Sequence, residues 1–256
     1  MNLKMEISAT EQYHSNSQKI RVITENWMSK NMYCPYCGNT YINHFENNKP
    51  VADFFCPSCK EEYELKSKNG PISNKVNDGA YATMIERIKS VNNPNFFFLH
   101  YRKNDLSVKN LVVVPKHFFS AEIIEQRKPL SAGAKRAGWI GCNIVLKQIP
   151  EEGRIYIVKD EIVQPEDKVI EQINRTEFIR GYKLDARGWI LDILNCVNKI
   201  DGREFTLEQM YQFVPMLQLK HPENHHIREK IRQQLQVLRD KGIIDFDGRG
   251  RYKKRQ

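Results

Sequence analysis

The stretch from residue 50 to residue 66 carries residue types that could hydrolyse a phosphodiester bond. Asp53 is separated by ten residues from Glu64-Leu65-Lys66. In a strand, the side chains of Glu64 and Lys66 point to the same face, because side chains alternate along a strand. Two carboxylates can bind Mg²⁺ together with water and a phosphate oxygen, and the ion activates a bound water. A lysine beside them can orient that water, take its proton or stabilise the developing charge.

This spacing predicts Asp53, Glu64 and Lys66 as catalytic residues, with Asp53 and Glu64 as Mg²⁺ ligands. The prediction requires the segment of Asp53 to lie beside the strand of Glu64. The alternative is that Glu64 and Lys66 are solvent-facing residues of an amphipathic strand, since acidic and basic residues at this spacing are common. Glu25, in a predicted first helix, is an outlying candidate ligand, although a solvated or capping role fits it better.

Four of the six cysteines form two Cys-x-x-Cys pairs, with residues 38–55 between them. Two such pairs at this spacing are typical of a four-thiolate zinc site, whereas a redox dithiol would need one pair alone. Four ligands leave no open coordination position, so we expect the zinc to be structural. The second pair lies between Asp53 and Glu64, so the metal would clamp the turn that joins their strands. The predicted ligands are Cys34, Cys37, Cys56 and Cys59.

The composition narrows the class of protein. The chain has 256 residues, 40% of them hydrophobic, and a net charge of +9 with a pI near 9.2. A basic balance favours a polyanionic partner. No run of 18 apolar residues occurs and the N-terminus lacks the apolar region of a signal peptide, so we expect a cytoplasmic protein without a membrane span. The remaining cysteines, Cys142 and Cys196, are expected to be buried thiols rather than disulfides.

Hydrophobic periodicity predicts an α/β arrangement, with helices around a mixed central sheet. Residues 160–182 are polar with little pattern and read as a connection to a second domain. The predicted elements before that connection are helices at 14–30 and 77–91, and strands near 51–56, 61–67, 96–101, 111–114 and 153–159.

A basic, glycine-rich loop is predicted from Arg127 to Asn143. Its glycines allow a close approach to a phosphate backbone, and its tryptophan could contact a base or a methyl group. The alternative is a surface loop whose tryptophan packs inward. The candidate DNA-binding residues here are Lys135, Arg136 and Trp139.

Residues 183–256 differ in character, with 15 Lys and Arg against 10 Asp and Glu. Helices are predicted from Asp185 as a cap, from Thr206 with a capping box to Gln209, and from 226 to 241. A strand and the Asp247-Gly248 turn then lead into a basic hairpin. Three helices followed by a basic hairpin indicate a winged helix, an α+β domain whose third helix enters the major groove. The candidate base-reading residues are Arg228, Arg232, Gln233 and Gln236, and the candidate phosphate contacts include Arg249 and Arg251. The alternative is a winged helix that binds protein.

Over essentially its whole length, the chain resembles the DpnI family of methyl-directed (type IIM) restriction endonucleases. The stretches that carry the resemblance are Cys34–Gly38, Asn43–Asn48, Pro50–Phe54, Glu64–Lys68, Asn77–Met84, Asn92–Leu99, Arg127–Leu130, Arg136–Asn143 and Lys230–Lys241.

The resemblance implies a PD-(D/E)XK catalytic domain over 1–182, with the zinc site at 34–59, and a winged helix over 183–256. It implies Mg²⁺-dependent, blunt-ended cleavage of duplex GATC that contains N6-methyladenine, with both domains reading the site. The family's catalytic positions fall on Asp53, Glu64 and Lys66, and the carbonyl of Leu65 becomes a further Mg²⁺ ligand. One departure is Pro50, which stands three residues before Asp53 rather than directly before it. A monomer is expected. The function from another class that stays open is a zinc-containing winged-helix DNA-binding regulator without catalysis.

Overall fold

The computed structural model describes residues 1–7, 15–45, 52–71, 74–90 and 93–255. Pro50 and Val51, which precede Asp53 in the sequence, lie outside the described residues. The chain divides into two compact units, each described by itself below. The first contains Met1–Lys147 and Glu152–Asn174, and the second contains Gln148–Glu151 and Arg175–Gln256.

The described part of the first unit contains two α-helices, all but the last two residues of a third, and ten strands, connected by loops and short 3₁₀ turns. The helices are α1 (Asn16–Asn31), α2 (Tyr81–Lys89) and α3 (Glu166–Thr176). The strands are β1 (Asn43–His44), β2 (Phe54–Phe55), β3 (Glu62–Asn69), β4 (Val76–Ala80), β5 (Asn95–Arg102), β6 (Ser107–Val114), β7 (Ile124–Gln126), β8 (Gly141–Ile144), β9 (Ile155–Lys159) and β10 (Ile162–Val163).

A seven-stranded mixed sheet forms the centre of this unit, in the order β1-β2-β3-β5-β6-β9-β10. Strands β3 and β5 are parallel and the other neighbours are antiparallel. A smaller sheet has the order β4-β8-β7. The predicted α/β class with a mixed sheet is therefore confirmed.

One face of the large sheet packs against α1. Trp27 and Met28 of this helix share a buried cluster with Tyr63 of β3, and with Phe97 and Leu99 of β5. Such burial contributes about 1.5–3 kcal/mol for each large apolar side chain. Because side chains alternate along β3, burial of Tyr63 on this face places Glu64 on the other face. The core therefore determines which way the candidate catalytic side chains point.

Helix α1 begins close to its predicted position. The hydroxyl oxygen of Ser15 caps the helix by accepting a hydrogen bond from Gln18 N at 3.3 Å. Strands β5 and β6 contain the predicted strands at 96–101 and 111–114, although β6 begins earlier, at Ser107. The predicted strand at 153–159 begins two residues later than expected, at Ile155.

The predicted helix at 77–91 is wrong in its first part. Residues 77–80 belong to β4, which pairs with β8, and the helix begins only at Tyr81. Asp78 and Gly79 are poor helix formers, and a partner strand supplies their backbone hydrogen bonds. The predicted end of this helix, at 91 and 92, lies outside the described residues.

Two stretches predicted as irregular contain regular structure. Residues 160–182, expected to be a connection, contain β10 and α3, in which Val169 and Ile173 are buried at helical spacing. Residues 141–143 of the predicted basic loop lie in β8, so the loop proper covers 127–140, between the antiparallel strands β7 and β8.

The second unit is a small α+β domain with the winged-helix arrangement. Its helices are α4 (Leu184–Lys199), α5 (Leu207–Tyr211), α6 (Val214–Lys220) and α7 (Ile227–Asp240). Its strands, β11 (Glu204–Thr206), β12 (Ile244–Phe246) and β13 (Arg251–Lys254), form a sheet in the order β11-β13-β12.

The capping box at the start of α5 is confirmed, since the side chains of Thr206 and Gln209 each accept from the other residue's backbone N–H. Two predicted details are wrong. Lys183 is the N-cap of α4, and Asp185 lies in its first turn. The second helix is divided into α5 and α6, because Pro215 has no N–H with which to continue a helix through this point.

Among the residues that the structure describes, no helix is both long and apolar enough to cross a bilayer.

Candidate functional site

The structure brings Asp53 beside the strand that carries Glu64 and Lys66. Asp53 immediately precedes β2, whose Phe54 pairs with Tyr63 of β3 in the antiparallel ladder. Two hydrogen bonds fix Asp53 there. Its backbone N–H donates to the carbonyl of Tyr63 at 2.9 Å, and its Oδ2 accepts from the backbone N–H of Leu65 at 2.7 Å.

Glu64 and Lys66 form part of a chain of alternating charges. The ammonium of Lys66 lies 2.6 Å from Oε1 of Glu64 and also contacts the carboxylate of Asp78. Nη1 of Arg87 lies 3.1 Å from Oε2 of Glu64. The order is therefore Asp78, Lys66, Glu64, Arg87. An amphipathic strand that faces solvent would leave these side chains exposed, yet Glu64 is 15% and Lys66 21% exposed.

This environment shifts both pKa values. Burial raises the pKa of Glu64, although Lys66 and Arg87 oppose the shift. Burial acts to lower the pKa of Lys66, but the carboxylates of Glu64 and Asp78 outweigh it and raise the pKa above its usual range. Lys66 is therefore an ammonium in this arrangement, which suits it to hydrogen-bond donation and charge stabilisation more than to proton abstraction.

Sequence reasoning missed Asp78 and Arg87 as members of this cluster. Asp78 lies on β4 and Arg87 in the last turn of α2, which follows β4 directly. The sequence predicts Asp78 to lie in the helix at 77–91, and from that prediction the direction of its side chain toward Lys66 does not follow. Glu25, the outlying candidate, lies 2.5 Å from Nε of Arg21 and 3.3 Å from Nε2 of His44.

The donor set around Asp53 fits Mg²⁺. The available donors are carboxylate and carbonyl oxygens, which hard cations prefer. Within the described ranges, a close group of three or more His, Cys, Asp or Glu ligands occurs only at the cysteines. An ion held by two carboxylates would take a backbone oxygen and waters as its other ligands, as Mg²⁺ commonly does.

The cysteine cluster fits zinc. The four Sγ atoms of Cys34, Cys37, Cys56 and Cys59 lie within 4.8 Å of one another. Cys34 and Cys59 are 3.5 Å apart, and Cys37 and Cys56 are 3.6 Å apart. A tetrahedral ion with Zn–S bonds near 2.3 Å separates its sulfurs by about 3.8 Å. The four thiols are thus close to the spacing that one zinc ion would impose.

Both Cys-x-x-Cys pairs fold into the same turn. The N–H of Gly38 donates to the carbonyl of Cys34 at 2.9 Å, and the N–H of Lys60 donates to Cys56 at 3.1 Å. Gly38 and Lys60 have φ values of +73° and +65°. Gly38 adopts this left-handed conformation without strain, whereas Lys60 carries a cost that metal binding can offset.

The thiols differ in their protonation. Burial raises the pKa of Cys34 to about 11. The pKa of Cys37 falls to about 7, because a backbone hydrogen bond at Asn39 and the neighbouring thiols outweigh its slight burial. The hydroxyl of Tyr63 lies 3.1 Å from Sγ of Cys34, so the residue before Glu64 contacts the cluster directly.

Two of the three candidate DNA-binding residues in the basic loop are in contact with each other. The guanidinium carbon of Arg136 lies 4.7 Å from the centre of the Trp139 ring, and Lys135 is exposed. Trp139 is half-buried and packs against Gly141, where a Cβ would come within 2.8 Å of the ring. A side chain at 141 would therefore displace the tryptophan.

The candidate base-reading residues share the outward face of α7. Arg228 and Arg232 both contact Tyr211 of α5. The guanidinium carbon of Arg228 lies 4.9 Å from its ring centre, and Nη1 of Arg232 donates to its hydroxyl at 3.1 Å. Gln233 and Gln236 are exposed on the same helix, whereas Ile231 and its apolar neighbours are buried.

The candidate phosphate contacts lie on the wing. Arg249 belongs to the turn between β12 and β13, and Arg251 is the first residue of β13. Both are exposed, and the adjoining glycines Gly248 and Gly250 have φ values of +106° and +72° that few other residues adopt.

Comparison with family models assigns both units. Residues 1–182 match the DpnI model, described as the Dam-replacing family, and residues 185–254 match DpnI_C, the Dam-replacing HTH domain. The first match alone covers well over half of the 256 residues. The chain therefore belongs to the DpnI (Dam-replacing) family, whose domain indicates methyl-dependent restriction of DNA, and it carries that family's helix-turn-helix domain.

Proposed function

We propose that the protein is a methyl-directed type II restriction endonuclease. It hydrolyses double-stranded DNA at GATC that contains N6-methyladenine, requires Mg²⁺ and leaves blunt ends. Residues 1–182 are the PD-(D/E)XK catalytic domain and residues 183–256 the winged-helix domain. One observation carries the proposal: Glu64 and Lys66 contact each other on β3, and Asp53 is hydrogen-bonded to the backbone of Tyr63 and Leu65 on either side of Glu64, in a chain of the DpnI family.

Each proposed catalytic residue has a role that follows from its chemistry. Mg²⁺, held by Asp53, Glu64 and the carbonyl of Leu65, would supply polarisation of the phosphate and activation of water. The N–H of Leu65 orients the Asp53 carboxylate, and the carbonyl of Tyr63 holds the Asp53 backbone beside β3. Lys66, as an ammonium, donates hydrogen bonds to the attacking water or to the phosphate and stabilises the charge that develops there. Arg87 contacts Oε2 of Glu64 at 3.1 Å and opposes the increase in the pKa of Glu64 that burial causes.

The zinc ion has a structural role in this proposal. Cys56 and Cys59 lie in the loop that joins β2 to β3, and the other pair lies before β1. Binding one ion to all four thiols ties that loop in place. The spacing between Asp53 and Glu64 then depends on the metal, although the zinc takes no part in the reaction.

Methyl recognition requires an apolar surface in the major groove. Burying one methyl group contributes about 0.8 kcal/mol, so one contact distinguishes methylated from plain DNA only about fourfold. Strong discrimination therefore needs two methyl groups, one on each strand, or reading by both domains. We assign Trp139, with Lys135 and Arg136 beside it, to such a contact in the catalytic domain.

The winged helix supplies the second reading of the site. Arg228, Arg232, Gln233 and Gln236 are assigned to base edges in the major groove, where arginine suits guanine and glutamine suits adenine. Arg249 and Arg251 are assigned to phosphates, which fix position without reading sequence. The protein is proposed to act as a cytoplasmic monomer.

A second candidate function is a zinc-containing DNA-binding regulator without catalysis. The observation that favours it is the pairing of both Glu64 oxygens with cations, Lys66 and Arg87, as in an ordinary buried ion pair. Against it stands Asp53, whose carboxylate is hydrogen-bonded to the backbone next to Glu64, an arrangement that a DNA-binding protein without catalysis does not require.

Short duplexes with a single GATC test the proposal and the alternative together. The duplex is prepared plain, methylated on one strand and methylated on both, and each is incubated with the protein and Mg²⁺. The proposal predicts that the doubly methylated duplex is cut on both strands at directly opposed positions, seen as matched fragments on a denaturing gel. Binding of that duplex without cleavage, by wild-type protein in Mg²⁺, would support the regulator instead.

A further inference from the structure

Asp78 is the second partner of Lys66 and belongs to a different sheet. Lys66 lies on β3 of the large sheet, whereas Asp78 lies on β4 of the three-stranded sheet. The Asp78 side chain is 6% exposed and contacts the Lys66 ammonium. Burying a carboxylate is costly unless it is paired, so this pairing is a specific feature of the site.

An irregularity in β4 directs Asp78 toward Lys66. Asp78 pairs with Cys142 and Ala80 with Gly141, so β4 has one residue more than β8 between these pairs. Such a bulge turns the strand locally and re-aims a side chain, and bulges are common beside active sites. The extra residue is Gly79, and helix α2, which carries Arg87, begins immediately after Ala80.

The two carboxylates that contact Lys66, those of Glu64 and Asp78, are affected differently when a metal ion binds. Glu64 is a proposed Mg²⁺ ligand, so the ion and the ammonium compete for its oxygens. Asp78 stays available to Lys66. Without Asp78, Glu64 would be the one of these two carboxylates left to pair with the Lys66 ammonium. Lys66 would then either compete with the metal for Glu64 or lose its position when the metal binds.

We propose that Asp78 is a positioning residue for Lys66, which holds the ammonium in place for the scissile phosphate while Glu64 binds the metal. The inference rests on the proposed nuclease function. Asp78 itself touches neither the substrate nor the metal in this proposal. Its effect on the reaction passes through Lys66 alone.

The test compares Asp78→Asn with Asp78→Glu and with a matched control. Asparagine keeps the size and removes the charge, whereas glutamate restores the charge. Glu125→Gln is the control, because Glu125 lies on β7, an edge strand of the same three-stranded sheet, and forms an exposed ion pair with Lys75. Melting temperature and binding to methylated duplex in EDTA are measured for each, followed by the single-turnover cleavage rate at saturating Mg²⁺.

The positioning role predicts that Asp78→Asn keeps its melting temperature and DNA affinity but cleaves on the order of 10- to 100-fold more slowly, the loss expected when a reacting group is misplaced by about 1 Å. Asp78→Glu recovers cleavage to within about tenfold of wild type, and Glu125→Gln matches wild type. A rate for Asp78→Asn within twofold of wild type overturns the inference.

A double-mutant cycle separates action through Lys66 from a direct role. In a Lys66→Met background, Asp78→Asn should leave the residual cleavage rate unchanged, because the group that it positions is absent. A further tenfold loss in that background would show that Asp78 acts independently and would overturn the inference. If wild-type protein does not cut methylated DNA in Mg²⁺, the proposed function fails first, and the comparison among variants is not reached.

Discussion

Tyr63 joins the cysteine cluster to the strand of the proposed catalytic residues. Its hydroxyl lies 3.1 Å from Sγ of Cys34, and its carbonyl accepts the N–H of Asp53 at 2.9 Å. The side chain is fully buried, and its ring stacks on Phe97 with centres 4.8 Å apart. The substitution Tyr63→Phe removes the hydroxyl and retains the ring, so it isolates the contact with Cys34.

The expected loss of zinc affinity follows from the hydrogen bond between the Tyr63 hydroxyl and the sulfur of Cys34. A hydrogen bond to a charged acceptor contributes about 1.5–3 kcal/mol, and a thiolate sulfur is a weak acceptor, so the lower end applies. About 1.5 kcal/mol corresponds to roughly a tenfold loss of zinc affinity, the lower bound for loss of a partner that hydrogen-bonds a metal ligand. The metal-free protein should lose less stability, because a neutral thiol accepts more weakly than a thiolate.

The assay is a competition for zinc between the protein and a chromophoric chelator. Tyr101→Phe is the matched control, since Tyr101 is also buried and lies on β5, where Asn95 pairs with Tyr63. Six residues of strand separate Tyr101 from that pair, or about 20 Å. At saturating zinc, Tyr63→Phe should cleave methylated DNA at nearly the wild-type rate, because its backbone hydrogen bond to Asp53 is retained.

Equal zinc affinity for Tyr63→Phe and wild type, within twofold, would refute this reasoning. An equal loss in Tyr101→Phe would also refute it, because the effect would then come from the loss of any buried hydroxyl in this core.

Four further predictions test other parts of the account. Lys66→Met should bind methylated duplex normally but cleave it on the order of 10²- to 10⁴-fold more slowly, and a rate within tenfold of wild type would contradict its role. Trp139→Ala should narrow the discrimination between methylated and plain GATC, and unchanged discrimination would remove this residue from the methyl contact. Because burial raises the pKa of Cys34 to about 11, zinc must displace a proton near neutral pH. Zinc affinity should therefore rise with pH and rebinding should release protons in a weak buffer, whereas a pH-independent affinity would contradict the thiol assignment. Arg251→Ala should weaken binding to all duplexes alike and reduce the salt-dependence slope by about 1, whereas an effect confined to GATC would indicate base reading.

Local patterns predicted much of the fold. The apolar run from Phe96 to Tyr101 lies within β5, since a fully buried strand requires apolar side chains on both faces. The cysteine spacing predicted the cluster, because two tight turns around one ion depend on residues close in sequence. The outward direction of Arg228 and Arg232 followed from helical periodicity alone.

Contacts between distant residues could not be predicted in the same way. Asp78 lies in a strand because β4 pairs with β8, more than 60 residues later in the chain. Asp78 and Gly79 are poor helix formers, but this local signal does not identify β8 as the partner of the strand. Its contact with Lys66 depends on the position of a second sheet against the first. Helix α3 could have been predicted from the sequence, since Val169 and Ile173 are four residues apart. Most of its other residues are polar, so the helical pattern is weak.

The central claim is metal-dependent cleavage directed by adenine methylation. The most direct measurement digests one plasmid that contains GATC sites, prepared with and without adenine methylation, in Mg²⁺ and again in EDTA. The account predicts that only the methylated plasmid is cut and that EDTA abolishes the cutting. Cleavage of both plasmids would contradict methyl direction, cleavage that persists in EDTA would contradict the metal, and retained binding without cleavage would contradict the nuclease itself.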